Sequence, residues 1–141
     1  NYHSDMTRCF LPESATRLQI QTYETLLAAQ SASIEAIQTG VTCKTLDDIC
    51  RQVLKANQHA ETFTHALGHG IGLEVHESPT ISSKSPTQNK LEENMVITIE
   101  PGIYIKDKFG IRIEDMLVVS DKGSKNLTNF PKAIKDSYWS P

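Results

Sequence analysis

Apolar residues in the first half of the chain recur at the three-to-four-residue spacing of helices. Between residues 14 and 39, Leu18, Leu26, Leu27, Ile34 and Ile37 form a stripe that predicts one long helix closing at Gly40, a suitable C-cap. A second helix is expected from Leu46, Ile49, Cys50, Val53 and Leu54. It is opened by the capping-box-like run Thr45-Leu46-Asp47-Asp48 and fades near Asn57. Packing alone accounts for both helices. The second half changes period. Gly68, Gly70 and Gly72 alternate with Leu67, His69, Ile71 and Leu73, and residues 80–94, rich in Ser, Thr, Asn, Lys and Pro, read as a solvated loop. From Met95 onward the chain alternates as a strand does, with Ile97 and Ile99 on one face and Val96, Thr98 and Glu100 on the other. Pro101-Gly102 interrupts that ladder. Gly110 opens another strand, in which Ile111 and Ile113 oppose Arg112 and Glu114. Asp121-Lys122-Gly123 is a turn, and beyond Asn129 the pattern is weak. Residues 1–10 read as extended and entered in mid-strand. Helices first and mostly antiparallel strands afterwards predict an α+β fold rather than a doubly wound sheet.

Length and charge narrow the classes. A chain of 141 residues with 38% apolar content predicts a single domain with a modest core. With 14 Lys+Arg against 17 Asp+Glu the net charge is -3, and no basic stripe marks a nucleic-acid partner. No apolar run is long enough for a membrane span, and the opening residues lack the layout of a signal peptide. The 3 cysteines, Cys9, Cys43 and Cys50, show no CxxC spacing, so a reducing, cytoplasmic setting is expected. Cys50 falls at a helix-core position and Cys43 in a turn; all read as idle thiols rather than nucleophiles.

The chemistry lies in the second half. Glu100 and Glu114 stand on strands, where a solvent-facing side would explain either one alone. Their company changes that reading. His65, His69 and His76 fall in one glycine-punctuated segment that lets the backbone approach a ligand closely, and Asp5 supplies a further carboxylate. Carboxylates around an imidazole suit Mn²⁺, Co²⁺, Fe²⁺ or Zn²⁺ in an open site rather than a closed structural zinc. Carboxylates also bridge cations, which permits a paired site. The spacing His65-x-x-x-His69 is not the helical HExxH motif, because Ala66 stands where that motif needs Glu.

Four separated motifs carry a resemblance: Ser4-Asp5-Met6-Thr7-Arg8, the run from Gly68 through Pro79, Thr98-Ile99-Glu100-Pro101-Gly102-Ile103-Tyr104, and Gly110-Ile111-Arg112-Ile113-Glu114-Asp115. Together they resemble the pita-bread metallopeptidases, specifically aminopeptidase P and prolidase, and span the chain from Asp5 to Asp115. The Arg112-x-Glu114-Asp115 ending and the Ser-Asp-Met-Thr-Arg opening differ from methionine aminopeptidases, the more distant alternative.

The resemblance implies the C-terminal portion of a pita-bread fold, a mostly antiparallel curved sheet with helices on one face, and a metal-dependent exopeptidase that cleaves the bond before a proline at the second position of a peptide. A hydroxide held between two divalent metal ions would attack; Mn²⁺ is put first, with Co²⁺ or Zn²⁺ as alternatives. Xaa-Pro aminopeptidase activity is put ahead of prolidase activity on dipeptides. By the same resemblance Asp5, His69, Glu100 and Glu114 are metal ligands, and Glu100 also shuttles a proton. His76 stabilises the intermediate, His65 lies near the proline pocket, and Arg112 and Tyr104 tie the ligands together. His3 and His59 match nothing. A fifth ligand, an upstream Asp, precedes Asn1 in this pattern. Residues 1–141 are therefore expected to be a partial catalytic domain, weak or inactive alone, from a larger enzyme that dimerises. The opposing expectation is a non-catalytic pita-bread module that binds a peptide or protein.

Overall fold

The computed structural model describes residues 1–139. Its elements run β1 (Leu11–Pro12), α1 (Arg17–Glu35), α2 (Cys43–Ala56), β2 (Gly68–Gly70), β3 (Glu77–Ile81), β4 (Val96–Ile99), β5 (Gly102–Ile105), β6 (Phe109–Arg112), β7 (Asp115–Ser120), β8 (Gly123–Asn126), a 3-10 turn at Ile134–Asp136, and β9 (Tyr138–Trp139). Helices precede strands, as the periodicity predicts. An antiparallel sheet of order β3-β2-β4-β7-β8 carries the molecule, β5 and β6 form a separate hairpin, and β1 pairs β9 in parallel.

Helix α1 is shorter than its apolar pattern. Thr16 and Gln19 close a capping box at its start: the Thr16 hydroxyl accepts from Gln19 N–H, and Gln19 Oε1 accepts from Thr16 N–H at 2.8 Å. The helix ends at Glu35, not Gly40. Ile37 turns into the core, and Thr39 and Gly40 give their N–H groups to the carbonyls of Ser120 and Leu91. Gly40 instead sits in the turn before α2 with φ of +89°. Leu18, expected in the buried stripe, is 43% exposed; the buried face comprises Thr22, Tyr23, Leu26, Ala29, Gln30 and Ser33. Half of that face is polar, so packing alone does not account for α1.

Helix α2 starts three residues earlier than the capping pattern indicates. Thr42 is the cap, its hydroxyl accepting from Thr45 N–H at 3.0 Å. Asp48 pairs with Lys44 at 2.8 Å instead of closing a box, and Cys43 lies buried in the first helical turn rather than in a loop. Leu46, Cys50 and Leu54 then face Tyr23 and Leu26 of α1 and Ile81, Ile97, Ile99, Leu117 and Val119 of the sheet in one core.

Two further expectations shift. Residues 1–10 form no strand; they cross the sheet on isolated bonds, His3 N–H to the Gly72 carbonyl at 2.8 Å and Glu114 N–H to the Thr7 carbonyl at 3.0 Å. The loop expected from residue 80 begins after Ile81, because β3 continues to pair with β2 through that residue.

Strand β2 is pressed between its neighbours. A Cβ on Gly68 would collide with the Thr98 carbonyl, and one on Gly70 with the Ser78 carbonyl, where the β2–β3 register shifts. Those two glycines bracket His69 and let it sit deep in the sheet. Gly68→Ala is therefore expected to destabilise the fold by about 1–3 kcal/mol, the usual cost of overpacking. Denaturant unfolding measures this, and an unchanged midpoint would contradict the close strand approach.

Candidate metal centre

The chain leaves the main sheet after β4 and re-enters it at β7, and a glutamate stands at each bend. Glu100 follows Ile99, Glu114 precedes Asp115, and Ile99 and Asp115 are Cα partners at the end of the β4–β7 ladder. That pairing brings both carboxylates to one place. Asp5 arrives from the N-terminal segment, its own N–H resting on Met116 Sδ at 3.1 Å. His69 comes from the middle of β2. Its backbone N–H donates to Thr98 Oγ1 at 3.1 Å and its ring Nδ1–H to the Gly70 carbonyl at 2.9 Å. That tautomer leaves the Nε2 lone pair facing the carboxylates, 3.3 Å from Glu100 Oε1 and 3.9 Å from Asp5 Oδ2.

Ligand atoms of Asp5, His69 and Glu114 all lie within 4.8 Å of one another, and Glu100 adjoins them through His69. Glu114 is 2% exposed. Its Oε2 accepts from the Thr7 hydroxyl at 2.6 Å, whereas Oε1 has no hydrogen-bond partner among the described residues. A buried carboxylate oxygen without a protein donor is satisfied by a proton, a water or a cation, and the neighbouring carboxylates and imidazole set Glu114 apart from Asp47, whose Oδ1 is likewise without a donor among the described residues. Protons are drawn in accordingly. Burial pushes the Glu114 carboxyl up against the Thr7 hydrogen bond, the charges of Glu100 and Asp5 add to that, and Arg112 opposes it. The Glu100 hydrogen bond raises His69 and outweighs burial, aided by the Gly70 carbonyl and the charges of Glu100 and Asp5. A divalent cation supplies the same compensation. Three carboxylates and one imidazole form a donor set that such an ion accepts, so the residues fit it.

The other predicted residues stand on the rim of an open cleft of about 680 Å³ that His65, His69, His76, Glu100 and Arg112 help to line. His76 is exposed, its ring centroid 4.3 Å from that of His69. His65 donates from Nδ1 to the Ala66 carbonyl at 2.8 Å and accepts at Nε2 from the Tyr104 hydroxyl at 2.9 Å. Tyr104 thus meets His65 rather than a carboxylate. Arg112 donates from Nε to Thr7 Oγ1 at 3.1 Å, and Thr7 in turn holds Glu114.

Several contributors escape sequence reasoning. Thr7, Arg8 and Asp115 sit inside the motifs, yet nothing there assigns them a partner. Asp47 and Arg51 read as ordinary helix polar residues. Arg51 joins Asp47 Oδ2 at 2.7 Å and donates to the carbonyls of Phe63 at 3.0 Å and His65 at 2.7 Å, fixing the loop that carries His65. A polar residue in phase with the buried face of α1 is the only signal for Gln30, and Lys132 has none. His3 is exposed and His59 half-buried. A second hollow of about 730 Å³ adjoins the cleft at Ser78 and Thr80 and holds none of the carboxylate cluster.

A sequence model of metallopeptidase family M24 matches residues 1–121. The chain is 46% identical over 134 residues to an Xaa-Pro dipeptidase of Pyrococcus furiosus, covering 95% of this chain and 38% of that protein. The prolidase of Pyrococcus horikoshii superposes with a TM-score of 0.90 at 44% identity, over 94% of this chain and 38% of that one. An X-Pro aminopeptidase of Thermotoga maritima gives 0.88 at 41% identity, over 94% and 37%. The chain therefore spans about 38% of the length of the curated relatives it matches. No helix among the described residues is long and apolar enough to cross a membrane.

The raised values of His69 and Glu114 have a definite sign. A group raised in the folded state stabilises it below the ordinary value, and that stability is lost as pH rises through the folded value. For the metal-free protein the contribution of Glu114 is full below about 4.5 and that of His69 below about 6.5, and each declines above. Ligation needs the deprotonated forms, so the cation's contribution runs oppositely. The rise in melting temperature on adding Mn²⁺ is expected to grow from pH 5 to pH 8; a pH-independent rise would contradict the assignment.

Proposed function

The chain belongs to metallopeptidase family M24, and on that premise we propose that the intact protein carrying it hydrolyses Xaa-Pro dipeptides. Its α+β architecture is the pita-bread fold expected from the motifs. The motifs put Xaa-Pro aminopeptidase activity first; the identity to an Xaa-Pro dipeptidase supports the reverse order. The observation that carries the hydrolytic reading is the convergence of Asp5, His69 and Glu114 on one point, with a Glu114 oxygen left without a donor.

Asp5, His69, Glu100 and Glu114 would hold the divalent cations, with Mn²⁺ first and Co²⁺ or Zn²⁺ as alternatives. Bound there, the cations supply Lewis acidity and lower the pKa of water towards neutrality. Glu100 is half-buried at the cleft side of the cluster. It takes a proton from the attacking water and returns it to the departing proline nitrogen. His76, exposed beside His69, donates to the oxyanion that develops on the scissile carbonyl. The Tyr104 hydroxyl and the Ala66 carbonyl fix the His65 ring on the rim, where the proline side of the substrate packs. Thr7, oriented by Arg112, holds Glu114 Oε2 in place. The free thiols of Cys9, Cys43 and Cys50 favour a reducing, cytoplasmic setting.

The test is hydrolysis by the intact protein loaded with Mn²⁺, Co²⁺ or Zn²⁺, comparing Xaa-Pro with Xaa-Pro-Xaa. Faster cleavage of the dipeptide is expected, and preference for the tripeptide would restore the aminopeptidase reading. At matched metal content, Glu100→Gln is expected to lower kcat by about 10²–10⁴-fold. His76→Ala is expected to lower it by about 10²–10³-fold. Full activity in both variants would refute these roles, and cleavage of Met-Ala peptides with proline ignored would refute the proline specificity.

A further inference from the structure

Gln30 is fully buried on the core face of α1, where an aliphatic side chain would pack without polar cost. Its amide is almost saturated. Nε2 donates to the Ile99 carbonyl at 3.1 Å and the Ile113 carbonyl at 3.2 Å, and Oε1 accepts from Lys132 Nζ at 2.7 Å. The reverse amide orientation would set oxygen against two carbonyls and N–H groups against an ammonium, so chemistry dictates this one.

The two carbonyls belong to the residues immediately before Glu100 and Glu114. From the geometry we infer that Gln30 is a positioning residue for the metal centre, its single amide setting the spacing of the two glutamates. The inference rests on the reading that these glutamates hold the cation. At Ile99 and Asp115 the β4–β7 ladder ends, and the two strands depart towards the β5–β6 hairpin. Beyond that point the bond from Ile113 N–H to the Pro101 carbonyl is long, at 3.4 Å. Gln30 bridges the bends where the ladder has stopped. The amide is anchored in turn, because Lys132 also pairs with Asp115, the residue after Glu114. Glu114 is thereby flanked through the backbone on both sides.

The glutamates' own side chains do not set this spacing. Glu100 touches His69 and, at 3.5 Å, the Thr98 hydroxyl; Glu114 touches Thr7. No side-chain hydrogen bond joins the two, so their separation follows from where the backbone places them.

Gln30→Met keeps length and volume and removes all three hydrogen bonds. In the intact, folded protein it is expected to weaken Mn²⁺ affinity measured by calorimetry by about 10–100-fold, as loss of an outer partner of metal ligands does. It should also alter the visible absorption spectrum of the Co²⁺-loaded protein. Ser33→Ala serves as the structural control. Ser33 is equally buried on α1 and bonds the Ala29 and Leu46 carbonyls, so its loss should lower the melting temperature and leave both metal readouts alone. Should Gln30→Met fail to fold, Gln30→Glu replaces it: it keeps the length and the Lys132 contact but has no N–H for Ile99 and Ile113. Unchanged affinity and an unchanged Co²⁺ spectrum in the folded variant overturn the inference. Glu114→Gln separates the two levels. If it weakens Mn²⁺ binding while the Gln30 variant does not, only the positioning role fails. If it has no effect, or the unsubstituted protein binds no cation, the metal reading fails and the inference with it.

Discussion

Asp115 has no solvent exposure, yet its carboxylate faces two cations, Arg8 Nη2 at 2.6 Å and the Lys132 ammonium. A buried charge is tolerated only with such partners, because a buried ion left unpaired costs about 3–5 kcal/mol. Each partner brings a distant segment with it. Arg8 follows Thr7 and Asp5 and adds donations to the Glu114 carbonyl at 2.5 Å and the Phe130 carbonyl at 2.9 Å. Lys132 ties the C-terminal stretch to Gln30 on α1. The N-terminal segment, the first helix and the tail therefore all converge on the residue that starts β7.

A second ionic brace serves the opposite wall of the cleft. Asp47 Oδ2 takes Arg51 at 2.7 Å and Ser83 N–H at 2.7 Å, and Arg51 holds the carbonyls on either side of Thr64. One brace aligns the carboxylates and the other aligns His65. Between them the centre carries negative charge that its hydrogen bonds do not satisfy, and burial makes that imbalance costly. Both braces bond mainly to backbone carbonyls, so the reactive side chains keep their lone pairs free for a ligand.

The core periodicity was legible because it is local. Leu26, Leu46, Cys50, Leu54, Ile97 and Ile99 all occupy core positions in phase with their predicted elements. Helix ends were not, because tertiary bonds decide them: Ile37 leaves α1 to reach the core, and Thr42 caps α2 ahead of the better-looking Thr45 run. The convergence of Asp5, His69, Glu100 and Glu114 was legible through short motifs. Their support was not. Gln30 and Lys132 lie outside every motif and acquire meaning only when a helix and the tail meet over two strand bends. Thr7 lies beside Asp5 in sequence, but its link between Arg112 and Glu114 needs the third dimension.

The long span of these contacts orders events in time. Arg8 reaches Phe130 across 122 positions and Thr7 reaches Glu114 across 107, so closure of these long loops precedes assembly of the centre. Asp5, His69 and Glu100 are joined by Glu114 only once the N-terminal segment has met the strand bend before β7. The carboxylates and His69 thus come together late in folding, and a state in which only the helices and the first strands have docked lacks the complete cluster.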